Sequence, residues 1–251
     1  MERTAAFPRT GGNENTNLLK WIALFFMILD HTGAVFFSRI PLFRLMGRIA
    51  FPLYAWCLAV GSEYTRDMGK YALRLFLGGL VSQPFFMMAL KVRWDDLNIF
   101  FTLLLGVLGI YGIREKRMGS HIWAPVLSVC AAFFVQVDYG WKGVLFILLL
   151  YAARKNKGAI AAVMTAFCLF WGATSTVNTL FFIPSSLSRP YPQLASFLNI
   201  INKTQFCAIL SLPFMLIPLP GRFPLPKWLS YAFYPGHLLI LYLIRTYCWL
   251  A

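Results

Sequence analysis

The chain has 251 residues, 59% of them hydrophobic and only 13% charged, about half the charge usual in a soluble domain. That composition excludes a water-soluble globule and predicts a multi-spanning membrane protein. The net charge of +14 would suggest nucleic acid in a soluble protein, but the bases sit between apolar runs, so they read as topology signals and as sites for anionic lipid or ligand, with no nucleic acid expected.

Residues 1–17 read as a polar cytoplasmic tail, and 18–251 as a single transmembrane domain. The opening bases Arg3, Arg9 and Lys20 precede a run, Trp21 to Phe37, that is too long for a signal core and has no small-x-small cleavage site, so it is expected to stay as the first span. Apolar windows then follow in the order Leu18 to Phe37, Phe43 to Val60, Tyr71 to Leu90, Leu97 to Ile113, Ile122 to Val137, Trp141 to Ala153, Ala159 to Ile183, Gln205 to Leu219 and Leu229 to Trp249. The fold class is therefore all-α, a polytopic bundle of about nine spans. The short sixth window and the prolines of the eighth, Pro213 and Pro218, widen the count to eight to ten. The half-polar stretch from Pro184 to Thr204 reads as a loop carrying a short interfacial helix.

With nine spans, 14 of the 23 Lys and Arg fall on the side of the amino terminus and 9 on the other, which places the amino terminus in the cytoplasm and the protein in the inner membrane. Trp21, Trp94, Trp123, Trp141, Trp228 and Trp249 mark span ends as interfacial aromatics do. The five cysteines are scattered singly, without metal-site spacing, and read as small buried hydrophobes.

An ionisable group inside a span is costly and points to function. The first span carries Asp30 and His31 in LLKWIALFFMILDHTG. Lys20 lies 11 residues before His31, which at 100° per residue is about 20° past three full turns, so the two share a face about 16 Å apart along the axis. Asp30 lies about 100° round from His31 and is expected to pair with Arg44 or Arg48 of the next segment.

The blocks LLKWIALFFMILDHTGAVFF, RLMGRIAFPLYAWCLAVGSEYTRD, KYALRLFLGGLVSQPFF, LNIFFTLLLGVLG, VDYGWKGVLFILLLYAARKN and FYPGHLLILYLIR resemble the TraX family, named for the pilin amino-terminal acetylase of conjugative plasmids. Lys20-x10-His31 also resembles the Arg-x10-His element of the acyltransferase type 3 family. One position departs from the TraX pattern: Val60 stands where a Glu is often found, and Glu63 lies one turn further on. The resemblance implies transfer of an acetyl group from acetyl-CoA, as donor co-substrate, to an amine or hydroxyl. On that expectation His31 is the general base and Asp30 its companion in the site. Lys20, Arg66, Lys70 and Arg74 would hold the phosphates of the donor, the last three stacking at spacings of four if helical. Arg48, Asp95, Asp138, Tyr139 and a second imidazole, His237, would form the acceptor site. His121, beside Trp123, reads as an interfacial anchor. The expected partners are membrane lipids, the acyl-CoA donor and an acceptor that is a pilin amino terminus, an envelope sugar or a small amine, with no metal. Two rivals stand beside this reading: a transporter or flippase, against which no internal repeat is visible, and a non-catalytic pilus or envelope assembly factor.

Overall fold

In a computed structural model, described here for residues 10–175, 190–219 and 223–248, the chain forms an all-helical bundle. The helices are α1 (Thr16–Val35), α2 (Pro41–Gly47), α3 (Ala50–Tyr64), α4 (Met68–Leu90), α5 (Ile99–Glu115), α6 (Ser120–Phe134), α7 (Gly140–Ala153), α8 (Lys157–Thr174), α9 (Pro192–Ile201), α10 (Leu212–Leu216) and α11 (Lys227–Tyr247). Short 3-10 segments cover Arg117–Gly119 and Thr204–Ser211. Residues 1–9 of the expected tail, 176–183 of the seventh window, 184–189 of the following loop and Trp249 lie outside the described residues.

Local chemistry sets the helix starts. Asn15, Asp67, Asn98 and Asn156 each turn a side-chain oxygen to a backbone N–H of the first turn of α1, α4, α5 and α8. Proline at the first positions of α2, α9 and α10 starts those helices where a missing N–H costs nothing.

Among the described residues each of the nine apolar windows overlaps helical structure, but the windows are not all uninterrupted spans. Four described segments are long and apolar enough to cross a bilayer: Thr16–Val35, Pro41–Tyr64 taken across its break, Met68–Leu90 and Lys157–Thr174. Gly140–Ala153 and Thr204–Leu216 are shorter apolar pieces. The second window crosses a break at Arg48 and Ile49, whose amides bond the carbonyls of Leu45 and Met46, three residues back. The eighth is part 3-10 helix, because Pro213 can begin an α-helix but cannot donate within one. Within the half-polar loop, the expected short helix is α9.

α3 is the hub, with Phe51, Leu53, Trp56 and Val60 all buried against neighbours. The outer surface is apolar instead of charged: Leu73, Leu77, Leu80 and Val81 of α4 and Ile122, Val126 and Leu127 of α6 are exposed. Such an exterior suits lipid, where helices satisfy their own backbone and turn apolar side chains outward.

Contacts at the two ends of the bundle place the helix termini. At one end Arg114 of α5 reaches the carbonyls of Ser62 in the last turn of α3 and of Thr65 after it, and Gly11 donates to the Arg154 carbonyl after α7. There the segment Thr10–Asn15, expected as part of a tail, packs into the bundle: the amide of Asn13 donates to Met215, its side chain to Phe214, and its carbonyl accepts the Trp56 indole at 2.8 Å. At the other end Arg245 of α11 donates to the carbonyls of Met88 and Ala89 at 2.7 Å, satisfying the last turn of α4. There too, Leu97 exchanges backbone bonds with Gln136 and Asp138, tying the loop before α5 to the turn between α6 and α7.

Gly12 is held under the bundle so closely that an added Cβ would lie 2.5 Å from the Trp56 ring and 2.6 Å from the Met215 carbonyl. Gly12→Ala is expected to destabilise the protein by about 1–3 kcal/mol through overpacking, read as a lower thermal midpoint in detergent.

Candidate functional site

α1 supplies Lys20, Asp30 and His31. As the helical period requires, Lys20 and His31 line the same cavity, which has a volume of about 430 Å³ and is walled by α1, α3, α4 and α11 with the turn before α7. Asp30 faces away from His31 towards α2. There its two oxygens are held separately, Oδ2 by Arg44 at 2.8 Å and Oδ1 by Arg48 at 2.9 Å. The sequence suggested one of these arginines; the structure uses both. The break after α2 makes this arrangement available, because it lets Arg44 and Arg48 converge on one carboxylate.

Gly47 is a second requirement of that contact. An added Cβ there would lie 2.1 Å from Asp30 Oδ1, inside the carboxylate itself. Arg48 then carries the network outward. Its Nη1 donates to Gln205 in the 3-10 segment at 2.9 Å, its Nε donates to the Arg44 carbonyl, and its guanidinium lies 6.0 Å from the centre of the Tyr139 ring.

Tyr139 occupies an unusual backbone position, φ +64°, followed by Gly140 at φ +56°. Non-glycine residues visit this left-handed region at a cost, and here the surroundings repay it. The Tyr139 ring stacks on Phe51 at 4.0 Å, and the carbonyl of Asp138 accepts the Thr102 hydroxyl. Asp138 itself sits in the turn and faces the cavity. Desolvation there pushes its carboxyl up to about 6, against the pull of the Arg48 guanidinium.

His31 Nδ1 is 2.7 Å from Nε2 of His237, and His237 Nδ1 is 2.9 Å from the carbonyl of Phe233 one turn earlier on α11. Both rings are buried, and the edge of Tyr234 packs against each of them. The hydroxyl of Tyr234, a cavity-lining residue, makes no hydrogen bond among the described residues.

At its opposite end the cavity is lined by Lys20, Gly61, Thr65, Tyr71, Arg74 and Ser230, with the Arg74 guanidinium 5.6 Å from the centre of the Tyr71 ring. Of the expected donor-binding bases, then, Lys20 and Arg74 line it. Arg66 and Lys70 do not. α4 begins at Met68, capped by Asp67, so Arg66 precedes the helix and cannot share its face with the others. Lys70 pairs at the surface with Asp67, whose carboxyl is held below its ordinary value first by the Lys70 backbone N–H and then by the Lys70 side chain. Asp95 also lies away from the cavity: it pairs with Arg93 at 2.9 Å on the surface, because the two residues meet within one tight turn. Glu63 pairs with Arg154, whose guanidinium rests 3.7 Å from the centre of the Tyr151 ring, at the far end of the bundle from Asp30.

Sequence reasoning missed Gly47, Gln205 and Tyr234. Gln205 had a visible signal as the polar opening of an apolar window; Gly47 and Tyr234 had none that a single sequence displays.

A family model described as TraX protein matches residues 15–245. The chain belongs to the TraX family. A probable fimbrial assembly protein FimC, serogroup H1, of Dichelobacter nodosus is 30% identical over 166 residues, which cover 59% of this chain and 67% of that protein. An uncharacterized protein of Rickettsia prowazekii (strain Madrid E) is 24% identical over 172 residues, covering 66% of this chain and 65% of that one. The chain thus spans about two thirds of the length of these relatives. No solved structure matches it. In this TraX-family chain the matched region contains every residue of the Asp30, Arg44 and Arg48 network, the two buried histidines, and both ends of the cavity.

Asp30→Asn removes the anion between two arginines, and breaking such a buried pair typically costs about 3–5 kcal/mol. A loss of stability of that order, read as a lower thermal midpoint, is expected for Asp30→Asn. Gly47→Ala should move the midpoint in the same direction, because the new methyl occupies the carboxylate's position.

Proposed function

We propose that the protein is a membrane acyltransferase that takes an acetyl group from cytoplasmic acetyl-CoA and passes it to an amine or hydroxyl acceptor arriving from the outer side of the inner membrane. The observation that carries this reading is a cavity with Lys20 and Arg74 at one end and His31, Asp138 and Tyr139 at the other. The TraX membership and the lengthwise division of that cavity support it together. The proposal keeps the nine-pass topology with a cytoplasmic amino terminus.

On this reading the bases at the inner end bind the donor's phosphates while its arm extends along the cavity. The helix rise separates Lys20 and His31 by about 16 Å, a length that suits an extended pantetheine arm. His31 takes a proton from the acceptor amine or hydroxyl as its nitrogen or oxygen bonds the acyl carbon. The carbon–sulfur bond then breaks, and His31 returns the proton to the departing thiolate. Arg44 and Arg48 stay bound to Asp30 and hold that wall of the cavity.

The name of the Dichelobacter relative favours a pilus-related acceptor, such as a pilin amino terminus, over an envelope sugar or a small amine. It equally favours the second reading, a pilus or envelope assembly factor that performs no transfer.

Labelled acetyl-CoA supplied to the purified protein with cell-envelope material as acceptor source should yield labelled product. His31→Ala should reduce the rate by about 10²- to 10⁴-fold while the protein still inserts. Near native turnover in His31→Ala, or no transfer by the native protein, would sink the acyltransferase reading in favour of the assembly factor.

Lys20→Ala should weaken acetyl-CoA binding in a salt-sensitive way, since the phosphate contact is electrostatic, whereas Asp138→Asn should leave donor binding intact and slow transfer. Binding measured in detergent and transfer measured in sealed vesicles of known orientation separate the two. A requirement for donor and acceptor on the same side would overturn the through-membrane arrangement.

A further inference from the structure

Two imidazoles and one carbonyl stand in a row across the helix interface, joined at 2.7 and 2.9 Å. The chemistry of these three groups fixes the protons between them. The Phe233 carbonyl only accepts, so the His237 nitrogen facing it, Nδ1, must carry a hydrogen. A neutral His237 then presents a lone pair at Nε2. The nitrogen opposite, His31 Nδ1, must supply the proton that this 2.7 Å contact requires. That leaves the remaining His31 nitrogen, Nε2, as an unprotonated lone pair on a ring that lines the cavity.

The alternative, a doubly protonated His237, would reverse the chain and strip His31 of its lone pair. It would also bury a cation against which no carboxylate stands among the described residues. Asp30 is taken up by Arg44 and Arg48, and Asp138 faces Arg48.

From this geometry we infer that His237 is a positioning residue that selects the Nδ1–H tautomer of His31 and so makes Nε2 its proton-accepting nitrogen. This inference rests on the acyltransferase reading for its use, though not for the tautomer itself. The pair does what a carboxylate does behind a catalytic histidine, but with a neutral partner suited to an apolar surrounding. When His31 accepts a proton at Nε2, its Nδ1–H already points at a lone pair, and no group has to reorient. The packing enforces the alignment. The two imidazole planes lie within 13° of each other, Phe233 stacks on the outer side of His237, and Tyr234 abuts both rings. Pro235 interrupts the backbone ladder of α11 two residues before His237, in the turn whose carbonyl the ring engages.

The test reads the tautomer and the rate separately. The chain has only three histidines, so nitrogen-15 NMR of histidine-labelled protein in detergent, with His121→Gln to assign the third ring, resolves each of them. Both His31 and His237 are expected as neutral Nδ1–H tautomers. In His237→Gln the side-chain carbonyl can take the place of Nε2 as acceptor, so His31 should keep its Nδ1 proton and transfer should stay within about tenfold of native. In His237→Leu the acceptor is gone: His31 should move to the Nε2–H form, and transfer should fall by about 10²-fold or more. A proton on His31 Nε2 in the native protein would overturn the inference, as would equal rates in the Gln and Leu variants. A native protein with the expected tautomers but no acetyl transfer would leave the tautomer assignment standing and remove the acyltransferase reading instead.

Discussion

A carboxylate inside a membrane bundle must find a positive partner, and Asp30 is the group on which this site is built. It lies on the first span, largely buried, and two guanidiniums converge on its two oxygens. Much of the surrounding architecture follows from bringing them there. The helix that carries Arg44 has to stop before α3 starts, so that Arg48 projects from the break and not from a continuous face. Gly47 has to lack a side chain, because the carboxylate occupies that space. Arg48 then has donors left over, and Gln205 and Arg44's carbonyl accept them, which draws the 3-10 segment against the outer end of the site. One buried charge thereby orders α1, the α2–α3 break and Thr204–Ser211 around the same point.

This arrangement also explains why two adjacent residues, Asp30 and His31, have unlike surroundings. Consecutive positions on a helix point about 100° apart, so one faces the arginines and the other faces α11. The charged pair serves the wall of the cavity, and the imidazole is left to a neutral partner. Had a carboxylate stood behind His31, it would have joined Asp30 and Asp138 as a third acidic group for the same two arginines to serve. A histidine backed by a carbonyl avoids that demand.

The sequence made the helical class and the position of the first span legible, because apolar length and period are local properties. The common face of Lys20 and His31 was legible for the same reason, and so was the need of Asp30 for an arginine. Contacts between distant parts of the chain were not. His31 and His237 are 206 residues apart, and no periodicity links them. The α2–α3 break is not legible because hydropathy averages across it, and the 3-10 winding of Thr204–Ser211 is hidden on the same ground. Arg66, Lys70 and Asp95 were grouped with the site by type and spacing, yet each has a nearer engagement or position in a turn that takes it elsewhere. The Thr10–Asn15 segment looked like a tail because it is polar; it is held because its polar groups meet carbonyls and an indole N–H at the end of the bundle.

The distribution of bases gains meaning from the same contacts. The side opposite the amino terminus carries 9 Lys and Arg, more than a strong topology bias would leave there. Several of these are not loop charges. Arg44 and Arg48 are bound to Asp30, Arg245 closes the last turn of α4, and Lys142 donates to Thr174 while lying over Trp141 and Phe170. The orientation rule concerns bases in loops near span ends, and arginines engaged in ion pairs or helix-end hydrogen bonds are a different case. These bases neutralise a carboxylate or close a helix end within the bundle, while Lys20 and Arg74 line the cavity at its opposite end.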